Sequence, residues 1–307
     1  MDWARDATDW PHRDRSRFVD AGGMRWHVQR WPAPHADAPE VLLVHGTGAS
    51  THSWRSLAPR LATWAGVWSL DLPGHGFSGA PPDADHGLPS LARRVAQLAA
   101  ALEVRPALVV GHSAGAAVLA RALLDGALAA RAMVSINGAF LPFGGVAAPL
   151  LSPLARVLHA LPGVPQLFAR RAADPAVVRR LVEGTGSRLD DEGLALYGRL
   201  MRDPAHTRAA LAMMAHWALQ PLAQALPGLR APLHLLAGGN DRAVPPSQAR
   251  TVGSRMPGAR LTMLPGLGHL AHEEAPDVVE AALRSALQTA LQAGRSAAAA
   301  PAAVPLP

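Results

Sequence analysis

Ala107-Leu108-Val109-Val110-Gly111-His112-Ser113-Ala114-Gly115-Ala116-Ala117-Val118-Leu119 reads as an apolar strand, a G-x-S-x-G turn and the start of a helix rich in Ala and Leu. Gly111 and Gly115 carry no side chain, so strand and helix can approach closely around a strained turn. Such a turn lifts the Ser113 hydroxyl clear of a sheet edge. The amino terminus of the helix that follows favours negative charge developing beside it. In this strand-to-helix setting the pattern marks Ser113 as a nucleophile. Taken alone, it also describes a small-residue turn with a capping serine.

A nucleophilic serine needs a base and a group that orients the base. The apolar run 233–237 leads into Gly238-Gly239-Asn240-Asp241-Arg242, which puts Asp241 at the carboxyl end of a strand. The run 260–264 leads into Gly266-Leu267-Gly268-His269, which puts His269 in the loop after the last strand. Nucleophile, acid and histidine thus occur in chain order, each after its own strand, where parallel strand ends converge. His272 competes with His269 but sits beside Glu273 and Glu274, as a turn or helix-start residue would. The plainer reading of Asp241 is an Asx-type turn.

The run 41–44 ends in His45-Gly46-Thr47-Gly48, a loop whose Thr47 N–H could pair with that of Ala114 to form an oxyanion hole. A phosphate cradle is the rival. However, the chain has no Lys for a Walker-type loop and no G-x-G-x-x-G after the strand. The run 67–70 ends in Asp71-Leu72-Pro73-Gly74-His75-Gly76, where His75 reads as structural.

Further strands are expected at 24–31 and 132–136, with helices at 91–102, 114–124 and 276–292. Strand, loop and helix repeated this way predict an α/β fold with a mostly parallel sheet covered by helices on both faces. The sheet-forming core is expected in 24–137 and 232–292. Between them, 138–231 offers only helix-like segments (154–161, 175–182, 192–201 and 207–218) separated by Pro or Gly, and reads as an inserted helical lid. Its Met213, Met214 and Trp217, with Phe140 and Phe143, are candidates for an apolar substrate-binding surface, although such residues also serve as helix core. Residues 1–23 read as an N-terminal arm anchored by Trp3, Trp10 and Phe18. The Ala- and Pro-rich 293–307 reads as a disordered tail.

Hydrophobic residues make up 49% of the 307 and charged residues 17%, enough for a packed core. Every one of the 29 basic residues is Arg; against 23 acidic residues this gives +6, which suits an anionic substrate or membrane surface. The pairs Arg93-Arg94, Arg170-Arg171 and Arg179-Arg180 are scattered without interleaved aromatics, so no nucleic-acid partner is expected. The absence of Cys excludes disulfides, thiol nucleophiles and thiolate metal sites. There are 14 His but no H-E-x-x-H, and neither a metal nor a cofactor is expected. No charge occurs between Arg131 and Arg156. Asn137 and three prolines (Pro142, Pro149, Pro153) interrupt that segment, which fits shallow docking on a bilayer better than spanning it. The charged start, with Asp2, Arg5, Asp6 and Asp9, lacks a signal-peptide core, so the expected place is the cytoplasm, with peripheral contact to the inner membrane.

With Ser113, Asp241 and His269 in this order after His45-Gly46, residues 24–292 resemble the α/β-hydrolase superfamily. A narrower resemblance rests on Trp10-Pro11-His12-Arg13, Arg25-Trp26-His27-Val28-Gln29, Thr51-His52-Ser53-Trp54-Arg55, Asn137-Gly138-Ala139 and Gly268-His269-Leu270-Ala271-His272-Glu273-Glu274. With Leu141-Pro142-Phe143-Gly144-Gly145, these stretches look like BchO-type magnesium-chelatase accessory proteins of bacteriochlorophyll synthesis. The resemblance implies a role near magnesium insertion into protoporphyrin, with a small apolar or tetrapyrrole substrate and a magnesium-chelatase component as partner. Metal insertion itself needs metal ligands and a nucleotide-driven motor, and neither is visible. Three readings stay open: a serine hydrolase of esterase type, a non-enzymatic accessory that binds a porphyrin or a chelatase component, and cofactor-free perhydrolysis or carbon–carbon cleavage.

Overall fold

The computed structural model describes residues 1–142, 161 and 163–299, with side chains described through residue 292. Eight strands form one sheet: β1 (Ser16–Ala21), β2 (Met24–Trp31), β3 (Glu40–Val44), β4 (Gly66–Leu70), β5 (Leu108–His112), β6 (Ala132–Ile136), β7 (Leu233–Gly238) and β8 (Arg260–Leu264). Their spatial order is β1-β2-β4-β3-β5-β6-β7-β8. β1 pairs antiparallel with β2, and β2 antiparallel with β4; the remaining pairs are parallel. Register keeps the parallel strand ends level, with Val44 opposite Gly111, His112 opposite Ile136, and Gly238 opposite Leu264.

Alternation along the strands divides the apolar side chains between two layers. Leu42, Val44 and Val109 join a core under α3 (Leu88–Ala101) and α4 (Ala114–Leu124). Val41, Leu43, Leu108 and Val110 face the other way, toward Trp54, Leu57, Leu61 and the Val279, Leu283 and Leu287 stripe of the last helix, Pro276–Ala299. Two short helices, α1 (Trp3–Asp6) and α2 (Ala58–Leu61), precede this pair in the chain.

Between β6 and β7 lie α5 (Val164–Arg171), α6 (Pro175–Gly184), α7 (Asp191–Met201), α8 (Pro204–Ala215) and α9 (Gln220–Ala225), the inserted helical cap. Asp174, Asp190 and Asp203 cap the amino ends of α6, α7 and α8 through their side chains. After β7 come α10 (Pro246–Arg255), α11 (Ala271–Glu274) and α12, the Pro276–Ala299 helix already met. Among the described residues no helix is long and apolar enough to cross a membrane.

Several elements differ from the sequence reading. Residues 16–21, read as part of the N-terminal arm, form an edge strand; β2 supplies their pairing, and their half-buried side chains give little alternation to read. α5, α9 and α10 were not anticipated, being short and interrupted by Pro. The last helix continues to Ala299, beyond residue 292, in keeping with the high helix propensity of alanine. The expected helix 154–161 lies outside the described residues apart from Leu161.

Charged groups tie the cap to the sheet layers. Arg55, in the loop after β3, pairs with Glu273 of α11, and its other nitrogen lies 3.2 Å from Asp190 Oδ1 at the head of α7. The Tyr197 hydroxyl of α7 donates to Glu273 Oε1 at 2.8 Å. Burial pushes the Glu273 carboxyl up to about 7, against the pull of Arg55 and Tyr197. Because this value lies above the ordinary 4.5, the group's own contribution to stability falls as pH rises through that window. Replacing Arg55 by Ala leaves the buried carboxylate without its cation, at a cost of about 3–5 kcal/mol where Glu273 is ionised. Urea unfolding of Arg55→Ala should therefore show a clearly larger loss at pH 8 than at pH 5.5, where the carboxyl takes up a proton. Equal losses at the two pH values would show that the pair is not the tie.

Candidate active site

Ser113 joins β5 directly to α4 with φ 50° and ψ −116°, a left-handed backbone that costs a non-glycine residue about 1–3 kcal/mol. Its surroundings leave no alternative. A Cβ on Gly111 would sit 2.4 Å from Ala116 N, and one on Gly115 would sit 2.2 Å from Val44 O. Only bare glycines let the elbow press against the end of β3. The Ser113 N–H donates to Ile136 O (3.0 Å), and its carbonyl accepts from Ala116 and Ala139 (3.2 and 3.1 Å).

The loop after β3 lies against this elbow: a Cβ on Gly46 would meet Ser113 Cβ at 2.9 Å. Ala49 N–H donates to Gly46 O at 3.2 Å, and Gly48 has φ +75°, which closes a tight turn with glycine at its third position. Among the described residues, the N–H groups of Thr47 and Ala114 have no acceptor. Leu72 N–H donates to His45 Nε2 (2.9 Å), so the His45 proton sits on Nδ1, which donates to Gly46 O (2.7 Å). Burial holds His45 below its usual basicity. Asp71, at the end of β4, accepts from the Thr51 and Phe77 amides (2.6 and 2.9 Å) and meets His27 Nδ1 at 2.7 Å. Burial alone would raise this carboxyl; the His27 contact and the amides hold it well below the carboxylate range.

His269 Nδ1 meets Asp241 Oδ2 at 2.8 Å, and both residues are buried. Asp241 Oδ1 accepts from the amides of Ala243 and Val244, each at 2.8 Å. One carboxylate oxygen therefore closes an Asx-type turn while the other faces the histidine, so the two readings of Asp241 coexist. The ring of His112, next to Ser113 in the chain, lies 4.7 Å from that of His269, which sets the histidine beside the elbow. Asn137, after β6, was not anticipated as part of this site. Its amide nitrogen donates to the carbonyls of Gly268 and His269 (2.9 and 2.8 Å), and its oxygen accepts from Gly238 (2.7 Å). It thereby joins the loops that carry the acid and the histidine.

His272 is buried on α11, with its ring 4.5 Å from both Trp54 and His112 and neither nitrogen hydrogen-bonded within the described residues. Burial, then the neighbouring His269 and Arg55, push it down to about 3, so it is neutral. His75 is also buried and held far below its usual basicity by desolvation. Among the described residues no three His, Asp or Glu side chains are grouped as metal ligands.

An apolar cavity of about 490 Å³ is lined by cap residues, Phe168, Leu181, Leu211 and Met214 among them, and by Gly48 of the loop after β3; Arg171 is the cation on its lining. The five apolar candidates fall in different places. Met214 lines this cavity and is 44% exposed. Met213 is buried, and its sulfur accepts from Thr47 Oγ1 at 3.4 Å. Phe140 is 1% exposed, within the core beneath α4, and Trp217 packs against the same core. Phe143 lies outside the described residues. Phe168 went unread because residues 164–171 show no long apolar period.

The alpha/beta hydrolase fold model matches residues 39–276. The magnesium-chelatase 30 kDa subunit of Rhodobacter capsulatus is 39% identical over 269 residues, covering 88% of this chain and 93% of that protein. Among solved structures, an alpha/beta hydrolase fold protein from Burkholderia ambifaria superposes with a TM-score of 0.71 at 26% identity, covering 88% of this chain and 99% of its own. A haloalkane dehalogenase loop variant from Bradyrhizobium elkanii, at 22% identity and TM-score 0.70 over 92% and 98%, shares the fold. The sheet order, the cap between β6 and β7, and the match over residues 39–276 make this chain a member of the alpha/beta hydrolase fold family.

Proposed function

We propose that the protein is a serine hydrolase of esterase type, with Ser113 as nucleophile, His269 as general base and Asp241 as the group that orients it. The His269–Asp241 hydrogen bond beside a strained serine carries the reading. With the imidazole proton held on Nδ1 by Asp241, Nε2 is free to take the Ser113 proton as Oγ attacks an ester carbonyl. The Thr47 and Ala114 amides receive the charge that develops on the carbonyl oxygen. His269 then protonates the departing alcohol, and water releases the acid from Ser113 by the same steps reversed. In this reading the core is 24–137 with 232–292, and 138–231 is the lid.

The cavity supports an apolar ester as substrate. A large flat macrocycle would gain about 25 cal/mol per Å² of apolar surface buried there, and Arg171 could receive a carboxylate at the rim. The likeness to a protein named as a magnesium-chelatase subunit, together with the BchO-type resemblance, supports a tetrapyrrole ester and a place in bacteriochlorophyll synthesis at the magnesium-chelatase step. That same name supports a second reading, in which the cavity binds a porphyrin or a chelatase component without turnover. Exposed Leu167, Phe168 and Leu181 near Arg170, Arg171 and Arg180 support shallow contact with an anionic membrane surface.

A fluorophosphonate probe should label the folded protein at Ser113 by peptide mass spectrometry. Ser113→Ala should abolish labelling with little change in thermal midpoint. Labelling elsewhere, or none on folded protein, removes the nucleophile assignment. His269→Ala should lower kcat by about 10³-fold or more, as expected for loss of a base in such a triad. His272→Leu should mainly lower stability, and a larger kcat loss at His272 would reverse the assignment of the base. Protoporphyrin methyl esters should bind saturably by fluorescence and be cleaved. Binding without cleavage selects the accessory reading, and cleavage of small acyl esters with no tetrapyrrole binding removes the pigment substrate.

A further inference from the structure

Among the described residues of the lid, His206 has a ring that bridges two loops at the carboxyl edge of the sheet. It lies in the first turn of α8 and is buried. The Gly76 amide donates to its Nδ1 at 3.0 Å, and Gly48 O lies 3.1 Å from its Nε2. A backbone N–H can only donate, so Nδ1 must carry the lone pair and the proton must sit on Nε2, where it donates to the Gly48 carbonyl. The two contacts therefore fix one tautomer. Gly48 is the φ +75° residue of the turn that leaves the Thr47 N–H unpaired. Two turns further along α8, Met213 accepts from the Thr47 hydroxyl. One lid helix thus holds both Thr47 and Gly48.

We propose that His206 is a positioning residue: from the lid it holds the Gly46–Ala49 turn so that the Thr47 amide faces the oxygen of a substrate carbonyl attacked by Ser113. The proposal rests on the serine-hydrolase reading and adds a residue that no local motif marks. Burial keeps the ring neutral, pushing it down to about 4, so this hydrogen-bonding pattern persists at neutral pH. Asp203 fixes the ring's origin by accepting from the His206 amide at 2.8 Å.

Three variants separate positioning from packing. In His206→Gln the side-chain amide nitrogen overlays Nε2 and keeps the bond to Gly48. In His206→Asn the side-chain oxygen overlays Nδ1 and keeps only the bond from Gly76. His206→Leu keeps neither but fills the space. The full chain is assayed with p-nitrophenyl butyrate, with fluorophosphonate labelling of Ser113 as a second rate. Outright loss of an oxyanion donor costs about 10²–10³ in kcat, and a donor left in place but misaimed should cost about tenfold. His206→Gln is expected within about threefold of the parent kcat, with His206→Asn and His206→Leu about tenfold lower and KM little changed in all three.

A parental kcat in His206→Asn overturns the proposal, as does a His206→Gln that falls as far as His206→Leu, or losses confined to KM. If the Asn and Leu variants do not fold, ¹⁵N-histidine spectra of the parent decide. A proton on Nδ1 of His206 overturns the proposal, while a proton on Nε2 with retained kcat in His206→Gln supports it. A parent that the probe does not label at Ser113 removes the hydrolase reading and this proposal with it. A labelled parent with an unaffected His206→Asn removes this proposal alone.

Discussion

The close approach of Gly115 to the carbonyls of Val44 and His45 is the constraint on which the rest of the site depends. A helix that begins so close to a neighbouring strand end cannot be reached by an ordinary turn, so Ser113 takes up the left-handed backbone. The strain is local, while the forces that maintain it are distributed. Two apolar layers grip the sheet, and level parallel strands bring the loops after β3, β5, β7 and β8 to one edge. A slip of any of those strands by one residue would shift its loop along that edge and turn its core-facing side chains outward.

Neutral buried histidines recur around that edge. His45, His75, His112, His206 and His272 are all pushed toward their neutral form, chiefly by desolvation. A neutral imidazole both donates and accepts, so it can join two backbone groups that an ammonium or a carboxylate could not. His45 joins Leu72 to Gly46, and His206 joins Gly76 to Gly48. These two rings are loop carpentry, each pinning a backbone turn at that edge.

What could be read from the chain alone was whatever repeats locally. Apolar runs ending in Gly-containing loops placed six parallel strands and both faces of the sheet, and the turn Gly111 to Gly115 announced its own strain. The helix-like segments of 138–231, separated by Pro or Gly, marked the inserted cap in the same way. Asn137, Arg55 with Glu273, and His206 were not legible, because each acts through partners more than 100 residues away and leaves no periodic trace. Phe168 and its neighbours on α5 were hidden for a different reason: the helix is eight residues long and exposes its apolar side. β1 was hidden because an edge strand borrows its order from the strand it joins.

The cap leaves the sheet at the carboxyl end of β6 and returns at the amino end of β7, its parallel neighbour. Such neighbours must be joined by a crossover from one edge of the sheet to the other. Here α9 and the turn Leu226–Gly228 make the descent, with Leu222 and Leu226 buried in the same core as α4. The insertion is therefore two things in one stretch of chain: a cap whose α8 touches the loop after β3, and the crossover that permits β7 to lie beside β6. Lengthening or remodelling the cap is topologically free. Cutting it away is not, since the sheet would lose the connection by which its second half is threaded.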